Sequence, residues 1–311
     1  MTLPKKADNV ASPKELATQF PVSVDPKNKT ITENTQIDTY LNSEAVRLSA
    51  SANDSGNIFV NIFNDLALTV ADSSWYQSLA AVGSSKPVTK YIVLNPGLRK
   101  EQVANIFVTK LGWNSKQRKA FLATSVGFKT SSNEGHFSPG IYFVDSNSST
   151  TAVQNIINDR FDTEILSHYG TSTASIVPLD QALKIASLIQ RETIGTKDMR
   201  LVSGIIWNRI FKDMNLQLDS TLQYAKASAQ PTSVWWPTIR PNDKYIKSPY
   251  NTYLNSGLPP TPIASPSVAA VLAALNPIKT DCLFYFSDQS GNMHCSKTYA
   301  EHLDQLSIYY H

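Results

Sequence analysis

At 311 residues, with 41% hydrophobic and 17% charged side chains, the chain has the composition of a folded globular protein long enough for roughly two domains, each with its own core. Its formal net charge of +3 comes without a Lys/Arg block beyond Lys5-Lys6, which argues against nucleic acid and for a polar, weakly charged ligand. The two cysteines form no CxxC pair and the five histidines show no HExxH-like ligand spacing, so neither a metal site nor another cofactor is expected.

No apolar run reaches the roughly eighteen residues of a membrane span, and the N-terminus lacks the apolar core of a signal peptide. Work outside the cytoplasm would call for an anchor or signal preceding this sequence. Residues 1–35 are polar and carry Pro4, Pro13, Pro21 and Pro26 without periodicity, which reads as a flexible tether. Residues 36–145 form an N-terminal region. Within it, the β-branched and aromatic run from Asn57 to Thr69 reads as a buried strand or hairpin edge.

A compact unit follows over about 90–145. Lys90 to Leu94 is a strand and Asn95-Pro96-Gly97 a turn; Arg99 to Leu111 is a helix with Val103, Ile106, Phe107 and Leu111 on one face. A second helix runs Ser115 to Ala123, and Tyr142-Phe143-Val144 supplies a returning strand. The order resembles a LysM module, a small sugar-binding unit, although a plain α+β spacer fits the pattern equally. The polar hinge Ser146 to Thr150 opens a second domain, 146–311, which begins with a helix over Ala152 to Leu166.

The chemistry concentrates in that domain. Pro178 and Asp180 start a helix over Gln181 to Thr193, with Gly195 as its terminator. Its apolar stripe of Ile185, Leu188 and Ile189 continues onto Glu192, so a carboxylate extends the core-facing row at the helix's C-terminal end. Desolvation and the negative end of the helix dipole both favour its protonated form, the form required for general-acid cleavage of a glycosidic bond. The competing reading places Glu192 in solvent beside Arg191 or Lys197.

The next helix, Lys197 to Phe211, buries Leu201, Val202, Ile205, Ile206 and Ile210 and puts Asn208 at the edge of that face, able to orient a neighbour. Gln217, Asp219 and Thr221 alternate with Leu216, Leu218 and Leu222, a period of two that sends three polar groups to one side of an extended cleft wall, or of an ordinary edge strand. Trp235-Trp236 reads as a buried loop anchor, and His294 and His302 as structural histidines. Cys282 and Cys295 flank a hairpin around Ser290-Gly291; a disulfide and two separate buried thiols both remain open, and the second is favoured.

Several ordered runs resemble the MltG/YceG-like endolytic transglycosylases. They are Ile185 through Thr193; Trp207-Asn208-Arg209 with Leu216 through Thr221; Ser248 through Tyr253 with Gly257 through Ile263; Ala274-Leu275-Asn276-Pro277; and Leu283 through Phe286 with His294 and His302. Ser220 stands where that family usually carries proline, and Ser138-Pro139-Gly140 also departs from its pattern. The resemblance implies an α+β fold with a helix-rich catalytic domain. It also implies a membrane-anchored enzyme at the bacterial cell envelope, acting on peptidoglycan glycan strands beside cell-wall synthases, with Glu192 as the acid/base.

Asn208, Gln217, Asp219, Thr221, Tyr250, Asn251 and Tyr253 are the expected substrate contacts, the tyrosines by stacking on sugar faces and the polar groups by hydrogen bonds. Two alternatives are a catalytically silent peptidoglycan-binding scaffold and a muramidase-type hydrolase pairing Glu192 with Asp219.

Overall fold

A computed structural model describes residues 19–35, 37–38, 41, 89–123, 133–229 and 234–310. The expected Asn57 to Thr69 strand lies outside them. The fold is α+β, helices accompanied by short antiparallel two-stranded sheets. Among the described residues no helix is long and apolar enough to cross a membrane.

From Gln19 onward the expected tether is packed. Strands β1 (Val24–Asp25) and β2 (Thr30–Ile31) pair as a hairpin, and Phe20, Val24 and Ile31 are buried in the larger core. The prolines hide this in the sequence, because the segment is held from outside: Asn276 Nδ2 donates to Pro21 O at 2.6 Å and Arg200 Nη2 to Asn34 O at 2.8 Å.

A β-α-α-β unit follows: β3 (Thr89–Leu94), α1 (Lys100–Leu111), α2 (Ser115–Leu122) and β4 (Gly140–Asp145). The two strands pair antiparallel from Thr89↔Asp145 to Leu94↔Gly140. Their alternation turns Ile92, Leu94, Tyr142 and Val144 onto Val103, Phe107 and Phe121 of the helices. Gly112 ends α1 with φ 69°, a left-handed cap that lets its N–H return to Val108 O.

Helix α3 (Thr150–Phe161) belongs to both cores. Val153 and Ile157 pack on the β-α-α-β unit, whereas Phe161 enters the larger one. A π-helical turn over Asp162–Leu166 and α4 (Thr171–Ile176) lead to α5 (Leu179–Glu192), α6 (Met199–Phe211) and α7 (Asp219–Ala229). A 3₁₀ turn at Pro241–Tyr245 precedes α8 (Val268–Leu275), which is apolar on every face and accordingly buried from Ala269 onward. Helix α8 packs on α5 and α6, and Trp207 Nε1 donates to Ala274 O at 2.9 Å. A β-carbon on Gly204 of α6 would meet the Ile278 carbonyl at 2.3 Å, so that approach requires glycine. Strands β5 (Phe284–Ser287) and β6 (Met293–Ser296) and helix α9 (Tyr299–Tyr309) complete the chain.

Candidate active site

Glu192 is the last residue of α5. Ile185, Leu188 and Ile189 ahead of it are fully buried, so the stripe carries its carboxyl to the core margin, where the residue is partly buried. Arg191 turns aside and stacks its guanidinium 3.9 Å from the Trp236 ring centroid.

The carboxyl is held from two other elements. Oε1 accepts from Ser220 N–H at 3.2 Å and from Ser220 Oγ at 2.5 Å, both in the first turn of α7. Oε2 accepts from Tyr285 Oη on β5 at 2.8 Å. Burial raises the Glu192 pKa above its ordinary value; the Ser220 and Tyr285 hydrogen bonds work against that rise, and the nearby Asp219 charge adds to it. Burial and the neighbouring carboxylate also keep Tyr285 a phenol, its pKa well above the usual value. The arrangement favours the protonated acid more than water does and leaves the carboxylate, with donors beside it, able to accept a proton.

Both partners of Glu192 are themselves fixed. Arg209 of α6 donates to Leu283 O at 2.7 Å and Leu216 O at 2.6 Å, which sets the chain leading into β5 and the chain leading into α7. Cys282 and Cys295 form a disulfide, S–S 2.06 Å, rather than the separate thiols that were favoured. Antiparallel pairing brings them together: Cys295 lies opposite Tyr285 in the register, and Leu283 N–H donates to Ser296 O at 2.8 Å just outside it.

The extended cleft wall expected over Leu216 to Leu222 is corrected: α7 starts at Asp219. Leu218, Thr221, Leu222 and Ala225 are buried at helical spacing, a pattern that overrides the shorter alternation. Gln217, at φ 51°, makes the turn into the helix, with its N–H on Thr252 O at 3.0 Å and its side chain exposed. Asp219 is exposed near Glu192 and accepts from Tyr253 Oη at 2.7 Å.

Other expected contacts face inward. Thr221 is buried, with Oγ1 2.9 Å from Thr252 Oγ1. Asn251 is buried and donates to Lys244 O and Ile246 O at 3.0 and 2.8 Å. Tyr250 packs on Tyr224 at 4.7 Å between ring centroids and shares a 2.9 Å hydrogen bond with Thr261. Asn208 donates to Thr280 O and Cys282 O at 2.7 and 3.1 Å, and so braces the disulfide segment. His294 Nε2 lies 2.9 Å from Asp288, and His302 packs among Phe284, Phe286 and Tyr299. Sequence reasoning missed Ser220 and Tyr285 as partners of the acid; the one available signal was a side-chain donor at Ser220 in place of a residue with no N–H.

Fold and site together define an α+β protein with a sheltered carboxylic acid at a junction of two helices and a hairpin, equipped for acid/base chemistry. The YceG-like family profile matches residues 67–307, and the chain belongs to that family. It is 29% identical over 173 residues to the endolytic murein transglycosylase of Streptococcus pneumoniae serotype 2 strain D39, a match covering 54% of this chain and 31% of that protein. To the Bacillus subtilis strain 168 protein of the same name it is 31% identical over 170 residues, covering 54% of this chain and 46% of the relative. The matched region thus takes in less than half the length of these relatives. A crystal structure of a YceG-like protein from Listeria monocytogenes superposes with a TM-score of 0.59 at 25% identity, covering 71% of this chain and 77% of that one.

Proposed function

We propose that the chain is a peptidoglycan lytic transglycosylase of the bacterial cell wall, cutting glycan strands internally with Glu192 as its one acid/base. The observation that carries this reading is the Glu192 carboxyl at the core margin, gripped by Ser220 and Tyr285, with burial raising its pKa. Family membership and the names of the relatives support it.

In the reaction Glu192 gives its proton to the oxygen linking N-acetylmuramic acid to N-acetylglucosamine as the C1–O bond breaks. The C6 hydroxyl of the muramoyl ring closes on C1 and loses its proton to the Glu192 carboxylate, leaving a 1,6-anhydro end and restoring the acid. No water enters, so one carboxyl serves both halves, whereas a hydrolase generally needs a second.

Exposed Gln217 and Asp219, with half-buried Tyr253, form the substrate-facing rim in this reading. Thr221, Asn251 and Asn208 support it from behind, and Tyr250 braces α7. The β-α-α-β unit serves as a LysM-like contact for the strand, and the enzyme works at the outer face of the cytoplasmic membrane near wall synthases.

Mass spectrometry of products from uncrosslinked glycan strands tests this. Wild type is expected to yield anhydro ends, and Glu192→Gln none, a loss of at least about a hundredfold, within the usual contribution of a general acid. Reducing ends carrying an added water would transfer the assignment to a hydrolase using Asp219, and an active Glu192→Gln would remove the acid role altogether.

A further inference from the structure

The two oxygens of Glu192 face chemically different partners. Oε1 meets a backbone N–H, which can only donate, together with the Ser220 hydroxyl. That N–H lies in the first turn of α7, where it has no intrahelical acceptor, so it is committed to the carboxyl. An oxygen facing such a donor must offer a lone pair, and in the neutral acid the carbonyl oxygen is much the better acceptor, so two donors on Oε1 favour it as the carbonyl. Among the described residues Oε2 meets the Tyr285 hydroxyl alone, which can reverse its role. It donates to a carboxylate and accepts from a carboxylic acid.

We propose that Ser220 fixes Oε1 as the carbonyl oxygen of Glu192, so that the transferable proton resides on Oε2, and that Tyr285 is the positioning residue that holds Oε2 through both halves of the reaction. The assignment rests on reading Glu192 as the acid/base, and it adds which oxygen acts and what steers it. During transfer the Oε2–H bond breaks toward the glycosidic oxygen, and the Tyr285 hydroxyl turns to donate to the carboxylate left behind. When Oε2 recovers a proton from the attacking hydroxyl, Tyr285 turns back to accept. The phenol keeps its own proton throughout.

The N–H and the hydroxyl of Ser220 act together on Oε1. A proline at this position supplies neither donor, yet fits the first turn of a helix, so Ser220→Pro removes both hydrogen bonds and leaves α7 able to form.

The test combines isotope-edited infrared spectroscopy of the protonated Glu192 carbonyl, with Glu192→Gln as the blank, and kinetics of Tyr285→Phe. The infrared band is read on folded protein whether or not it turns over, so it answers separately from the transglycosylase reading. Ser220→Pro is expected to raise the carbonyl stretching frequency, since two donors leave that oxygen; Ser220→Thr should restore the wild-type band, and Tyr285→Phe should leave it in place. Tyr285→Phe is expected to lower kcat by about tenfold or more with KM little changed, as loss of alignment at a reacting atom does. It should also move the alkaline limb of kcat against pH upward, because the carboxylate loses a donor. A carbonyl band that ignores Ser220→Pro or moves in Tyr285→Phe overturns the assignment. So does a Tyr285→Phe enzyme with wild-type kcat and pH profile.

Discussion

Glu192 stands between helix ends of opposite polarity, the C-terminal end of its own α5 and the N-terminal end of α7. The first disfavours a negative charge and the second favours it, so burial decides, and the pKa ends above 4.5. An acid whose pKa is raised on folding contributes stability that is complete below the unfolded value and is lost as pH rises through the folded one. Glu192→Gln should therefore melt at a higher temperature than wild type at alkaline pH, with the difference vanishing near pH 4. Equal melting temperatures at both pH values, measured by calorimetry, would contradict the burial argument. The acid itself was legible because a carboxylate continuing an apolar helical stripe is physically unusual. Its partners were not, being 28 and 93 residues away and brought close only by packing. The partners of Asn208 and Asn251 were hidden for a related reason: an amide beside a core can serve backbone carbonyls as well as a ligand, and both bond carbonyls here.

Helix α7 and the β5–β6 hairpin decide where those partners stand. Over Leu216 to Leu222 two periodicities overlap, and the longer one wins because it extends on to Ala225. The left-handed turn at Gln217 carries a cost of roughly 1–2 kcal/mol for a residue with a β-carbon. Gln217→Gly should consequently keep or raise the unfolding temperature, whereas Gln217→Val should lower stability by about 1–2 kcal/mol; the reverse order in thermal melts would show that this turn is not under strain. The Cys282–Cys295 bridge closes a separation of 13 residues around the hairpin that presents Tyr285. Replacing both cysteines by serine should remove about 2–4 kcal/mol. Turnover should fall only in part, since Asn208 and Arg209 still hold the same strand; chemical denaturation and anhydro-product assays on that variant check the two effects.

Across the whole molecule, the β-α-α-β unit is joined to the larger core by a polar seam. Glu134 is fully buried, accepting from Lys100 N–H at 2.9 Å and from Tyr224 Oη at 3.2 Å. Arg99 lies 4.0 Å from the Tyr224 ring centroid and donates to Ser228 at 2.9 Å, and Gly135 abuts Pro262 so closely that a β-carbon would come within 2.6 Å. Burial, with the nearby Glu101 charge adding to it, raises the Glu134 pKa from 4.5 to about 8. Its contribution is therefore complete below about 4.5 and is lost as pH climbs through about 8. Stability should decline across that window by up to about 1.4 kcal/mol per pH unit, and Glu134→Gln should flatten the slope of melting temperature against pH. A variant with the wild-type slope would place the titration elsewhere. Most helices and strands around the two cores were readable from period and turn chemistry, because their apolar residues fall on one face. The seam and the docked segment from Gln19 were not, since each depends on single polar contacts between distant residues.

Ser220 and Tyr224 are four residues apart on α7, about one turn or 6 Å of rise, so the residue that grips the Glu192 carboxyl and the residue that grips the upstream unit are carried by one rigid rod. A sideways shift of that unit therefore cannot be absorbed by a loop before it reaches the Glu192 carboxyl.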